Sequence, residues 1–527
     1  MIHRPQSFKI AEKRFRWATS RLKLQVRFGL LLLVIPLLPQ GTLYSQQPSA
    51  PEVQAAMKKA TQFMLGKIAY RGGYVWSVSE DFSRRDGEVP ARGTQIWIQG
   101  GTPDVANAYL DAYEATRDPL FLEAARQAAD ALIYGQRPEG GWHYFIDFDP
   151  KGIEEWYKKE ASRFKWGYEE YRHYYGNATF DDGNSALAAR FLLRFYMTTL
   201  ESAYRAPVIK AFDFFLKAQF PNGAWPQRYP LRYEFAHDGM PDYTSYYTPN
   251  DGAMVANILT LVEGYEKLGD ERYLEAAKRG VDFLITVQGP EGQAAWAEQF
   301  APNMEPTAAR THEPSGVVIR ESVEIIELLE TFYLMTGSTR YLRPIPGALA
   351  WFERVNREAL EFKRPVGRYY QLGTNLPVYV IRTDKTNADG YGLYQWSTTN
   401  ARGDGLGLYR TTVEEPQIKP ALDVAPIRKE YERISKLTPE EAQTEYERRA
   451  GNRRPNSTPR APAAASVAEI IKTLDDRGAW MSNDIQVLTR VAPPAMNPGT
   501  REPMRGFSTA VFIKNLRILT NHLQGLK

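Results

Sequence analysis

Three short polar stretches each stand just ahead of an apolar helical run. They are Thr179-Phe180-Asp181-Asp182-Gly183-Asn184, Tyr246-Tyr247-Thr248-Pro249-Asn250-Asp251 and Arg310-Thr311-His312-Glu313-Pro314-Ser315. Carboxylate oxygens are the ligands calcium prefers, and an arginine fork matches a carboxylate. Asp181, Asp182 and Asp251, gathered with Arg310, would therefore suit an anionic substrate bridged by a divalent cation. Each piece alone has a plainer explanation: an aspartate ahead of a helix commonly caps it, and a lone arginine commonly sits in an ion pair. The chemistry requires the three stretches to meet.

A repeat elsewhere in the chain supplies the means. An apolar helix, a glutamine and a Gly-Trp turn recur as ADALIYGQRPEGGWHY, FDFFLKAQFPNGAWPQRYP and VDFLITVQGPEGQAAWAEQF, with a weaker copy at 61–76 and a degenerate one at 348–371. Between them lie second helices at 102–122, 181–200, 250–274 and 321–342, apolar at three- and four-residue spacing. Repeats of this size must stack to bury their apolar faces. The expected fold is thus all-α dominated, an (α/α) toroid or barrel of helical hairpins with a few short strands and a C-terminal extension. In such a ring the starts of the second helices share one rim. The Gly-Trp turns read mainly as packing, with Trp225 also a candidate aromatic against a sugar.

The spacing predicts one toroidal domain over 47–450, a flexible segment at 451–466 and a helical extension at 467–527 packed on the toroid. Residues 467–480 and 507–523 read as two closing helices. The insert 145–178 reads as a surface loop holding a helix, and 364–411 as a few strands. Residues 1–46 read as a secretory signal: eight bases against Glu12 within 1–28, then the apolar run Gly29–Leu38. That run is too short to span a bilayer comfortably. The net charge of +4 resides in this leader, and the rest is slightly acidic, which does not indicate nucleic-acid binding. With no cysteine, thiol catalysis, cysteine zinc sites and iron–sulfur clusters are excluded, and the six histidines show no HExxH spacing.

The blocks ATFDDGNSALAARFLLRFY, AQFPNGAWPQRYP, YYTPNDGAMVANIL and AWAEQFAPNMEPTAARTHEP, in this order, resemble the pectate lyases of polysaccharide lyase family ten. The likeness is firm over 180–385 and looser over 70–450, where TNLPVYVIRTDK and TEYERRAGN resemble the family's later blocks. It implies a secreted enzyme, localised outside the cell or in the periplasm, that cleaves polygalacturonate or pectin by calcium-assisted β-elimination. Carried over by position, Arg310 falls at the catalytic arginine, Asp181 and Asp251 at metal-binding aspartates, and Arg382 at a second arginine holding substrate carboxylate. Asp182 and His312 then become candidate substrate contacts beside Trp225. The chain departs from the family with Asp182 where asparagine is usual, Gly183-Asn184-Ser185 for Gly-Ala-Thr, and Arg382-Thr383-Asp384 for Arg-Asp-Gly.

Two other readings stand beside this one. A glycoside hydrolase on a similar barrel would use two carboxylates flanking the bond, drawn from Asp181, Asp182 and Asp251, and would leave the Arg310 block without a role. A pectin-binding homologue would keep the fold without turnover. A terpene cyclase would need a DxDD motif, which the chain lacks.

Overall fold

Four of the inner helices end in the same way. Arg117, Leu200, Gly269 and Gly337 adopt left-handed backbone at the helix end, and their N–H groups donate to the carbonyls of Tyr113, Tyr196, Tyr265 and Tyr333. This closes the last turn and sends the chain straight back as an outer helix. Asp118 and Asp270 cap two of those outer helices by accepting from Leu120 and Arg272 N–H. A short loop between antiparallel helices is thereby set locally.

The computed structural model describes residues 48–164, 175–232, 242–310, 313–362, 366–386, 392–398, 422–452, 464–490 and 500–526. Its described helices are α1 (Ala50–Phe63), α2 (Thr102–Thr116), α3 (Pro119–Gly135), α4 (Ile153–Phe164), α5 (Asn184–Thr199), α6 (Ser202–Ala218), α7 (Ala253–Leu268), α8 (Glu271–Thr286), α9 (Ile319–Thr336), α10 (Ile345–Glu361), α11 (Ala425–Ile434), α12 (Pro439–Asn452), α13 (Ala464–Lys472) and α14 (Thr509–Gly525). Inner helices α14, α2, α5, α7 and α9 pack in succession, with α13, α1, α3, α6, α8 and α10 outside them. This is the hairpin architecture of an (α/α) toroid. The proposed leader lies outside the described residues. Among those residues no helix is long and apolar enough to cross a membrane.

The repeated phrase is the joint between neighbouring hairpins. Gln136 donates from Nε2 both to its own turn at Gly140 (2.9 Å) and to Pro207 O on α6 (3.0 Å). Gln219 does the same to Gly223 and to Ala276 on α8, and Gln288 to Ala294 and to Pro344 at the start of α10. The Trp indole N–H then ties the turn to the end of its own helix: Trp142 to Leu132 O, Trp225 to Phe215 O and Trp296 to Leu284 O. Glycine is required where two backbones touch. At Gly223 (φ +94°) a Cβ would stand 2.1 Å from Arg279 O, and at Gly140 (φ +118°) 2.3 Å from Lys210 O. Gly223→Ala is therefore expected to cost at least about 3 kcal/mol through overpacking and left-handed strain, read as a lower thermal midpoint.

The C-terminal region differs from its expected form. Helix α13 stops at Lys472, and Gly478-Ala479-Trp480 is another copy of the phrase, with Trp480 Nε1 donating to Ile470 O (2.9 Å). The strands Met481–Arg490 and Thr500–Ser508 follow, and the second of them pairs with Ser77–Ser79 near the chain start. Helices α13 and α14 thus form a hairpin of the ring beside α1 and α2, rather than an extension laid on a finished toroid. Within the described part of the 145–178 insert, Tyr157 on α4 is fully buried against Phe145 rather than exposed as in a surface loop. Strands Tyr369–Tyr370, Pro377–Thr386 and Gly392–Ser397 occupy the region expected to hold them.

Behind α9, helices α11 and α12 bring Glu430 and Arg449 near the buried Glu330. Burial, with Glu430 adding, pushes the Glu330 carboxyl up to about 8 against the pull of Arg449. Its folded value lies above its ordinary value, so the folded state keeps a proton that the unfolded chain has released. Stability from this group is full below the ordinary carboxylate range and falls as pH rises through about 8. Glu330→Gln is expected to melt a few degrees above wild type at pH 8, with the gap closing at pH 5.

Candidate functional site at the helix starts

Ahead of α5 and α7 the chain makes the same tight turn twice. Asp182 (φ 50°, ψ 20°) and Gly183 (φ 66°, ψ 19°) match Asp251 (φ 50°, ψ 31°) and Gly252 (φ 67°, ψ 9°). A left-handed non-glycine residue costs roughly 1–2 kcal/mol, least for Asp and Asn. Gly183 and Gly252 occupy the N-cap positions, and no aspartate side chain caps either helix. The capping explanation for Asp181, Asp182 and Asp251 therefore fails, while Asp118, Asp242 and Asp270 do cap. The two turns pack against one another. Their equivalence pairs Asp182 with Asp251 and Asp181 with Asn250. Asp181 is buried and accepts from the Tyr144 hydroxyl, whereas Asp182 and Asp251 remain partly accessible.

Arg310 joins this rim through Glu313. Glu313 N–H donates to Arg310 O (2.8 Å) and Ala309 N–H to Glu313 O (3.1 Å). Arg310 Nε and Nη2 donate to Glu313 Oε2 and Oε1 at 2.8 and 2.5 Å, and its backbone N–H also reaches Oε2. Asn250 Nδ2 donates to the same carboxylate at 3.0 Å. Asp251 lies 3.7 Å from Arg310 Nη2 and accepts from Arg320 at 2.7 Å, and the Arg310 guanidinium also faces the Tyr243 ring. Asp251 and Arg310 thus lie side by side at this rim.

Beneath them is a buried layer. Glu298, of the WAEQ block, accepts from Arg368 (2.6 Å) and Tyr369 (2.9 Å), and its carbonyl receives Asn250 N–H. Burial, opposed by Arg368, pushes the Glu298 carboxyl up to about 8, with Glu321 and Glu313 adding to the rise. On the Asp181 side, Arg228 is enclosed between the Tyr144 and Tyr175 rings at 5.0 and 4.7 Å. Burial, together with Arg228, holds the His143 imidazole well below its ordinary range, so it stays neutral. The sequence assigns no role to Glu313, Asn250, Glu298 or Arg228, although all lie inside the motif blocks.

Trp225 is 1% exposed, with its indole N–H held by Phe215 O. The structure puts it in the core with the other repeat tryptophans, because the joint needs a donor and a large apolar body there. That corrects its assignment as a sugar contact. Arg382 lies in the strand Pro377–Thr386 opposite Tyr394, and its side chain is outside the described residues, as is His312 altogether. Among the described residues no group of three or more His, Asp or Glu is arranged to hold a metal ion. Asp182 and Asp251 have the oxygen chemistry a hard cation takes, yet would fill only part of the six to eight positions calcium uses.

The architecture and the rim together define a toroidal protein with aspartates and a clamped arginine at the helix starts. Residues 151–395 match the profile of the pectic acid lyase family, and over that segment the chain is a divergent homologue of it. No curated protein matches the chain. Among solved structures, it is similar to a mutant family 10 polysaccharide lyase from Cellvibrio cellulosa in complex with trigalacturonic acid (20% identity, 52% of this chain and 85% of that one, TM-score 0.36). It is also similar to a sugar epimerase from a ruminal bacterium (13%, 63% and 77%, TM-score 0.39). A third likeness is to an α-1,6-mannanase from a Salegentibacter species (12%, 91% and 100%, TM-score 0.36). At these scores the structural likenesses carry no substrate or mechanism across.

Proposed function

We propose that this protein is an exported pectate lyase that cleaves polygalacturonate by β-elimination, with Arg310 as the base. The observation that carries the reading is the pairing of Asp251 with Arg310, 3.7 Å apart inside the segment that matches the pectic acid lyases. In the reaction, Arg310 removes the C5 proton of a uronate, and that electron pair forms the 4,5 double bond. The C4–O bond breaks with its electrons going to the oxygen, which leaves on the neighbouring sugar and takes a proton from water, while Arg310 returns its proton to solvent. Glu313 and Asp251 both face the guanidinium, so Arg310 starts the cycle charged. Populating its neutral form near pH 8 costs roughly 6 kcal/mol. The rate is therefore expected to climb with pH into the alkaline range; a maximum in acid would exclude Arg310 as base. Arg382 belongs in this proposal as a second holder of substrate carboxylate.

Calcium enters the proposal through the rim carboxylates Asp182 and Asp251, completed by the substrate's own carboxylate, and when bound it would neutralise charge beside the acidic C5–H. Asp181, deeper and hydrogen-bonded to Tyr144, supports that rim from below. Chelation is expected to lower turnover about 100-fold or more, with recovery on adding calcium. The deciding assay incubates the protein with polygalacturonate and calcium while following ultraviolet absorption of a new 4,5-unsaturated uronate. New reducing ends without that absorption would mean hydrolysis, and binding without either product would mean a non-catalytic pectin-binding protein.

A further inference from the structure

We infer that Glu313, braced by Asn250, is the positioning residue that fixes the plane of the Arg310 guanidinium and holds it in register with Asp251. Arginine carries a long, rotatable stem, and a site that uses its fork must restrain it. Here Glu313 takes the Nε–Nη2 edge with two charge-assisted hydrogen bonds, at 2.8 and 2.5 Å, which sets the guanidinium plane. The same carboxylate accepts Arg310's backbone N–H at 3.2 Å, so the side chain is pinned to its own turn. A further donor comes from another element: Asn250 Nδ2, at 3.0 Å, from the turn that carries Asp251.

Asn250 is itself held twice. Its side-chain oxygen accepts from Asp251 N–H at 2.8 Å, and its backbone N–H donates to Glu298 O at 3.0 Å. A single chain of contacts thus runs from the buried layer through Asn250 to Glu313 and Arg310, and through Asn250 to Asp251. Glu313 is 3% and Asn250 1% exposed, so neither competes with the other rim groups for ligand. Both act through Arg310 and Asp251.

The catalytic consequence rests on the lyase reading, whereas the clamp does not, and the test separates them. The full-length protein is treated with phenylglyoxal, and labelling of Arg310 is followed by peptide mass spectrometry. Arg310 in Glu313→Gln is expected to react at least about tenfold faster than in wild type, with Arg228 unchanged as an internal control of folding. Asn250→Ala, which keeps the Arg310–Glu313 pair, is expected to give a smaller acceleration of about threefold and serves where Glu313→Gln does not fold. Equal Arg310 labelling in these variants and wild type would overturn the inference.

In the unsaturated-uronate assay, Glu313→Gln is expected to lower kcat about 100-fold with KM within about threefold, and Glu313→Asp to restore part of the loss. A rise in KM at unchanged kcat would overturn the positioning role. If wild type forms no unsaturated product, the lyase reading falls and the labelling result alone decides the clamp.

Discussion

Arg310→Ala is expected to reduce unsaturated-uronate formation from polygalacturonate by at least about 1000-fold, below detection in an ordinary absorbance assay. Two losses combine in that figure. The group proposed to take the C5 proton is gone, and so is a cation placed 3.7 Å from Asp251 at the rim. The far-ultraviolet helical signal should be retained, because Arg310 lies outside the described helices. Stability will fall nonetheless. Glu313 is 3% exposed and would lose both guanidinium hydrogen bonds, and breaking a buried ion pair from one side costs about 3–5 kcal/mol. Arg310→Lys is the necessary companion, since it keeps a positive charge near Glu313 while losing the two-pronged geometry. A lysine variant that melts near wild type yet turns over hardly at all would locate the defect in chemistry. Retained activity in the alanine variant would sink the proposed mechanism.

Trp225→Ala is expected to lower stability by about 3–5 kcal/mol while leaving KM for polygalacturonate within about twofold in the folded enzyme. The ring is fully enclosed, and its N–H satisfies Phe215 O at the end of α6. Removing it opens a cavity where one hairpin meets the next and leaves that carbonyl without its partner. Trp142→Ala and Trp296→Ala should behave alike, since their indoles make the equivalent bonds to Leu132 and Leu284. A residue stacked on substrate would give the opposite signature, a raised KM at unchanged melting temperature. Thermal melts and substrate titrations on the same preparations distinguish the two.

The helical hairpins were legible in the chain because their signals are local. Apolar spacing marks inner and outer helices, and a polar or glycine break marks the return. The Gln and Gly-Trp positions could be recognised as recurrent, but their hydrogen bonds could not. Gln219 spans from its own turn to Ala276, a residue on the next outer helix. Such contacts cross between repeats and leave no spacing rule behind. The copy ending at Trp480 was missed for a related reason. Its neighbours are the strands at 481–490 and 500–508, paired with residues 77–79 from the other end of the chain.

The same division runs through the site. Sequence alone determined the rim, because Asp181, Asp182, Asp251 and Arg310 all precede second helices, and helices of one class in a stack begin on one side. Tertiary structure decided the roles within it. Backbone dihedral angles pair Asp182, not Asp181, with Asp251, and exclude capping for all three. Packing moved Trp225 into the core. Side-chain reach across two separate turns made Glu313 and Asn250 the frame of Arg310. The physical reason is range: propensity and periodicity act over a few residues, whereas burial and hydrogen-bond pairing depend on which distant segments the folded chain brings together.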